Sequence, residues 1–391
     1  MMKQTTLLAA ALCCIFFSCE KAEKEVAPEP ETGSPATLSL EELANIMSLL
    51  PLDVQQMREV HDAASSSAGN GYDEEYTMSR LLTSPGAGVG DSASDTKAGA
   101  YSHPLREALS LAVEEYFSTK AASLSAEEYL EALENSDLQI YWPFSDSWDG
   151  ETLPVITYDP GEGLETNEGF LCCADGSRET VTVTEEMARE RPVWVINRND
   201  DSSYRTLEML RREDPSWGQG GGEIYVRPMS EPSDDFQTLV LKSFRSDIQY
   251  DNWFSGASEF FVKIGSVEDF KASTEGELRL YQPSITDFMV VVKRKDVGLD
   301  MPLNVILVSE WTEQLESCAL MIVEDDGGTR TSWKCNATVK INSKSYGVEL
   351  EIPLYSRDDI VWRGSLSRRY IGRYSGQEGH FGNIAMTLEL I

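Results

Sequence analysis

The sequence predicts an α+β protein, with an N-terminal helical region, a small mixed β region and a C-terminal antiparallel β-sandwich. Three observations carry this reading. Up to about residue 136, apolar residues recur at helical spacing behind capping signals. Short β-rich runs broken by Gly, Pro and Asp follow, up to about residue 235. Beyond Phe236, many short strands with regular turns continue to Ile391.

The helical region starts at Leu38. Ser39-x-x-Glu42 is a capping box, and Leu40, Leu43, Met47 and Leu50 fall on one face until Pro51 stops the helix. Asp53-x-x-Gln56 opens a second helix, with Val54, Met57, Val60 and Ala64 as its stripe. Pro104 suits a first helical position, ahead of Leu105, Leu109, Ala112 and Tyr116. Ser125-x-x-Glu128 repeats the capping box. Between these elements Ser84 to Ala100 is a Gly/Ser-rich loop. Its Asp91-Ser92-Ala93 has the form of a bacterial O-glycosylation sequon, with Ser92 as the acceptor.

In the mixed region, strands are expected at Leu138–Phe144, Leu153–Tyr158, Phe170–Cys173, Thr180–Val183 and Val193–Ile196, with a helix over Tyr204–Arg212. Gly218 to Gly222 lacks the flanking strand, helix and Lys of a phosphate loop and reads as a connection. In the last region, Val348, Leu350, Ile352 and Leu354 alternate with Glu349 and Glu351, as a half-buried strand requires.

Asp326-Gly327 between two strand-like runs signals a two-residue hairpin. A turn centred there pairs residues whose numbers add to about 653, which sets Cys318 opposite Cys335. Facing residues lie about 4.5 to 5.5 Å apart, close enough for a disulfide. Such a bridge is worth about 3 kcal/mol by loop entropy; the alternative is two buried thiols. Adjacent Cys172 and Cys173 point to opposite faces of a strand.

Composition narrows the function. The 391 residues include 66 acidic and 33 basic ones, a formal net charge of −33. Phosphate backbones are repelled, so nucleic acid is not expected as a partner. Cations accumulate near such a surface.

The N-terminus is the most specific signal. Lys3 precedes the apolar run Leu7 to Phe17, which is too short to span a bilayer, and Ser18-Cys19 ends it. This pattern resembles the signal of bacterial lipoproteins of the Bacteroidota type, although Phe16 stands where an aliphatic residue is usual. The resemblance covers only the start of the chain. It implies that residues 1–18 are a signal peptide and that Cys19 receives the lipid. It further implies attachment to the outer membrane, with Glu20, Glu23 and Glu25 favouring the cell surface over the periplasmic face. Residues 19–37 are rich in Glu, Pro and Ala and form a disordered tether. Helical (38–136), mixed β (137–235) and sandwich (236–391) regions follow.

Catalytic signatures are weak. His61, His103 and His380 are the only histidines. There is no G-x-S-x-G; Gly372 to Gly376 carries its serine one place late. Asn197 to Glu208 loosely resembles a calcium loop but lacks the first Asp and the turn glycine, and reads as a strand exit before a helix cap. A cation site built from loops is the better arrangement, from Asp247, Asp251 and Glu259 with Asp358 and Asp359. Calcium is the ion it suggests. For a protein or glycan ligand, the candidate anchors are Trp253 and Phe254, flanked by turn residues, and Trp142 and Trp148. The sequence therefore predicts a lipid-anchored, non-catalytic binding or structural module. The rival is an exported hydrolase using two carboxylates about 5 to 10 Å apart in a cleft.

Overall fold

Sheet pairing over long sequence separations builds most of this molecule, and the N-terminal helices cover one face of the first sheet. The computed structural model describes residues 38–83, 101, 104–119, 124–161, 163–173, 177–199, 206–215 and 236–391. Cys19, Ser92 and the glycine run 218–222 lie outside the described residues. Leu38–Ile391 clusters as one compact unit.

The capping signals set the helix starts. Ser39 Oγ accepts from Glu42 N at 3.2 Å and opens α1 (Leu40–Met47). Asp53 and Gln56 form a reciprocal capping box for α2 (Val54–Gly69). A short strand β1 (Glu75–Thr77) and helix α3 (Met78–Leu82) follow. Next come α4 (Leu105–Thr119), directly after Pro104, and α5 (Ala126–Glu134), whose Ser125–Glu128 capping box is complete.

The first sheet comprises β1, β2 (Leu138–Tyr141), β3 (Val155–Tyr158), β4 (Thr166–Cys172), β5 (Arg178–Thr184) and β6 (Val193–Arg198). Its order is β1-β2-β6-β3-β4-β5, with β3 and β6 parallel and the other neighbours antiparallel. The connection from β5 into β6 carries α6 (Glu185–Glu190). Both faces of β6 are buried, which explains its unbroken apolar run. Trp194 and Ile196 pack under α1, α2, α4 and α5. Val193 and Val195 pack on the opposite face, against Trp253 and Phe254.

After α7 (Leu207–Glu213), the remaining strands are β7 (Phe236–Ser246), β8 (Ser258–Ser266), β9 (Ser284–Val292), β10 (Met301–Thr312), β11 (Leu315–Glu324), β12 (Arg330–Ile341), β13 (Lys344–Tyr355) and β14 (Asp359–Ser367). A helix α8 (Arg368–Tyr374) and strands β15 (Gln377–Phe381) and β16 (Ile384–Leu390) end the chain. One sheet runs β10-β7-β16-β15 and the other β13-β12-β11-β8-β9, with β14 also paired to β11. These strands pair antiparallel throughout. Their inner faces bury one shared core, where Phe244 of β7 meets Phe260 of β8 at 5.6 Å. The sandwich expected from the sequence is thus present.

The hairpin register expected at Asp326-Gly327 is corrected. The connection is a five-residue loop, 325–329, with Gly327 and Gly328 at positive φ. Asp325 Oδ1 accepts from Gly327 N inside it. β12 touches β11 only at its start, Leu315 opposite Val339 and Ser317 opposite Thr338, with a bulge between. From Ser317 to Glu324, β14 takes one edge of β11, and β8 takes the other from Ala319. Cys318 therefore faces Leu366 and Cys335 faces Leu350, and both are free thiols. The disulfide expectation fails because β14, absent from the sequence reading, displaces β12.

Candidate metal centre

Antiparallel order concentrates carboxylates at one end of the β8-β11-β14 sheet. A strand's start lies beside its neighbour's end, so Glu259 near the start of β8, Glu324 at the end of β11 and Asp359 at the start of β14 come together. Glu324 is directly opposite both Phe260 and Asp359. The loop before β8 is drawn to the same place. Ser258 Oγ accepts from Tyr250 N at 2.8 Å and Asp251 N at 3.4 Å. Arg294 Nη2 donates to the Asp251 carbonyl at 2.6 Å.

As a result, carboxylate oxygens of Asp251, Glu259 and Glu324 lie within 4.8 Å of one another. Glu259 is 7% exposed and Glu324 only 1%. Asp251 Oδ2 and Glu324 Oε1 are buried and accept no hydrogen bond, and the same holds for Asp358 Oδ1 in the adjoining loop. Buried oxygens without donors are costly, at about 1–3 kcal/mol each. Burial pushes the Glu324 carboxyl far above the usual range, and its hydrogen bond and charge contact with Asp251 add to this, followed by Asp326 and Asp359. Burial raises Asp251 as well, opposed by the hydrogen bond from Glu324 and by Arg294. Both carboxyls therefore hold a proton more readily than free acids do. Arg294 opposes the rise at Asp251 but is also drawn to Glu185 at 3.9 Å.

Each expected site residue has a definite place. Asp251 and Glu259 join the cluster, with Asp359 beside Glu324. Asp358 holds its loop, accepting from Tyr355 N at 2.7 Å. Asp247 does not join: it pairs with Arg245 at 3.0 Å. Glu324 was missed. Its signal was the acid run Glu324-Asp325-Asp326, which the turn reading of Asp326-Gly327 absorbed.

Three aromatic anchors are corrected. Trp253 and Phe254 are fully buried against the first sheet, with their ring centroids 3.9 Å apart and Trp253 Nε1 donating to the Glu165 carbonyl at 2.9 Å. The turn residues around them serve to turn the pair inward: Asn252 Oδ1 accepts from Phe254 N and Ser255 N. Trp142 is buried among Trp148, Trp194 and His61. Trp148 is half-buried, donating to the Thr152 carbonyl at 3.0 Å.

Other buried acids are structural. Asp73 accepts from Glu74 N at 2.7 Å and Ala257 N at 2.9 Å, and Glu74 accepts from Phe144 N and Ser145 Oγ. Asn197 Nδ2 donates to the Phe254 and Ser255 carbonyls. These bonds fasten the first sheet to the loop before β8. Cys172 is buried, and burial raises its thiol to about 11, so it is no nucleophile at neutral pH.

No protein-family model matches the chain, and no curated protein or solved structure is similar to it. No helix among the described residues is long and apolar enough to cross a membrane.

Proposed function

We propose that this chain is an exported lipoprotein, held at the outer surface of the outer membrane through Cys19, and that it works as a non-catalytic binding module whose sandwich takes up one calcium ion. The observation that supports the cation is the trio Asp251, Glu259 and Glu324, with two carboxylate oxygens buried and lacking any donor. A hard divalent cation supplies what those oxygens lack. Calcium accepts 6–8 oxygen ligands in irregular geometry, which suits two strand residues and one loop residue better than the octahedron of magnesium. The depth of Glu259 and Glu324 favours an ion over a polymeric substrate, which must reach both carboxylates of a hydrolase at once. The anchor rests on the N-terminal signal, and the wider partner, a protein or a glycan, on the exported setting.

The test for the ion is calorimetric titration of EDTA-stripped protein with calcium. One site per chain is expected, with proton release as Glu324 gives up its hydrogen. Calcium at about 100 times Kd should add about 2.7 kcal/mol of stability. With a melting entropy of about 2.1 cal/mol/K per residue over Leu38–Ile391, this is a rise of about 4 °C in Tm. Absence of heat and of a Tm rise at millimolar calcium rejects the site. For the anchor, Cys19→Ser should abolish incorporation of labelled fatty acid and move the protein out of the membrane fraction.

A further inference from the structure

Helix α4 buries one stripe, Leu105, Leu109 and Val113, and leaves a second face lining a groove of about 660 Å³. On that face the lining residues fall on two rows, each advancing four residues at a time, so members of a row are neighbours. Ala108, Ala112 and Tyr116 form the partly buried row, and Glu107, Leu111 and Glu115 the exposed one. Leu49 and Pro51, from the connection between α1 and α2, line the groove as well. Tyr116 is fixed by its hydroxyl, which donates to Glu42 Oε1 at 3.1 Å. The lining runs from Pro104 to Thr119, about 22 Å of helix axis. The volume is therefore spread along a slot rather than gathered in a bowl.

Two properties of the slot select its ligand. The first is aliphatic surface left in water: Leu111 is 66% exposed and Leu49 51%. The second is charge of one sign. Asp53, Glu107 and Glu115 line the slot, and among its described lining residues none is basic. Asp53 Oδ1 is engaged by the cap of α2, accepting from Gln55 N and Gln56 N. Glu107 and Glu115 are not engaged in this way. No Lys or Arg stands three or four residues from either one, and neither enters an ion pair among the described residues. Eight residues separate them, about 12 Å along the axis, with Leu111 midway. The exposed row thus reads acid, aliphatic, acid.

We propose that this slot binds a linear polyamine, with one terminal ammonium at Glu107, the other at Glu115, and the methylene chain laid over Leu111 and the alanine row. Ammonium and carboxylate form charge-assisted hydrogen bonds, and the methylenes cover aliphatic surface that water otherwise meets. Length supports the match. An extended chain advances about 3.3–3.6 Å for every three single bonds. The nine bonds between the outer nitrogens of spermidine then cover about 10–11 Å, close to the separation of the two glutamates, whereas the five bonds of putrescine cover only about 6 Å. The volume lies within the roughly 300–1,000 Å³ of small-molecule sites. A fatty acid or phospholipid of similar length brings an anion to a wall of carboxylates, and a bare metal ion makes no use of the aliphatic floor. The slot shares no residue with the calcium centre, so the two proposals stand apart.

The experiment titrates the full chain, stripped of metal and dialysed, with spermidine in a calorimeter at about 0.15 M salt, where diffuse attraction to the acidic surface is screened beyond about 8 Å. One saturable site per chain is expected. E107Q/E115Q removes two of 66 acidic residues, so it leaves the diffuse attraction nearly intact, yet it should lose about tenfold or more in affinity, the effect of about 1.4 kcal/mol. Leu111→Gln, which alters no charge, should weaken binding several-fold, and putrescine should bind at least about tenfold more weakly than spermidine. Glu107, Leu111 and Glu115 are exposed, so an unchanged Tm certifies the fold of each variant. Absence of a saturable site overturns the proposal. Full affinity in E107Q/E115Q does so too, since it reduces the binding to diffuse attraction, as does putrescine bound as tightly as spermidine. Trilysine bound equally well also overturns it, and assigns the slot to a basic peptide.

Discussion

The raised carboxyl of Glu324 should make the metal-free protein weaken as pH rises, and Glu324→Gln should remove that weakness. A carboxyl whose pKa is raised on folding keeps its proton in the folded chain while the unfolded chain has released it. The folded state then binds more protons over the window between the two pKa values, and stability falls as pH increases through it. For Glu324 the window opens near the ordinary Glu value of 4.5 and extends upward through neutrality, because burial and then Asp251 hold the folded carboxyl far above that value. One whole proton costs about 1.4 kcal/mol per pH unit. With about 2.1 cal/mol/K per residue over Leu38–Ile391, this is a fall of about 2 °C per unit and about 6 °C between pH 5.5 and 8.5, as an upper bound. The Glu324→Gln side chain keeps the shape and can donate its amide to Asp251 as the protonated Glu does, so the fold is retained. Glu59, Asp73, Glu74 and Asp287 are also raised by burial and tilt both proteins in the same direction. Asp149, lowered to about 2 by its bonds from Thr152 and Glu151, acts only at the acid end. The difference between the two Tm slopes in EDTA therefore isolates Glu324. Parallel slopes from pH 5.5 to 8.5 would refute the raised carboxyl, and with it the electrostatic reason for a cation there.

Two further outcomes test the packing. Trp253→Ala should cost about 3–5 kcal/mol and lower Tm by several degrees or abolish soluble expression, as the ring is fully buried against the first sheet; a Tm within a degree of wild type would show the ring to be dispensable. Denaturing the protein without reductant should expose Cys318 and Cys335 to alkylation, because they face Leu366 and Leu350 across their strands; a mass two hydrogens short, with both sites protected, would contradict this register.

Local signals were legible where one side chain settles a local question. Asp53 and Gln56, Ser125 and Glu128, and Pro104 mark helix starts that tertiary packing had no cause to move. The period-2 strand around Leu350 was equally plain, because one of its faces meets the core and the other does not. What failed was competition between distant segments. Asp326-Gly327 is a good hairpin signal, but a hairpin holds only if no better strand reaches the same edge. Asp359-Ile360-Val361-Trp362-Arg363 carries no turn mark and little alternation, so its claim on β11 shows only in three dimensions. The loss of the Cys318–Cys335 bridge and the gain of the carboxylate cluster have this same cause, since the strand that pushes β12 aside also delivers Asp359 to Glu324. Burial was misjudged by the same route. Asn252 and Gly256 around Trp253 and Phe254 promised an exposed turn, whereas the turn bends the rings inward onto β6, a destination that sequence spacing cannot reveal. An amphipathic pattern states that a face is buried; which partner buries it is decided by segments distant in sequence, 48 residues apart for Cys318 and Leu366. A functional site at the end of a mixed set of strands therefore has to be sought among acids that look unrelated in sequence, and Glu324, hidden within its own acid run, is the residue on which that search turns.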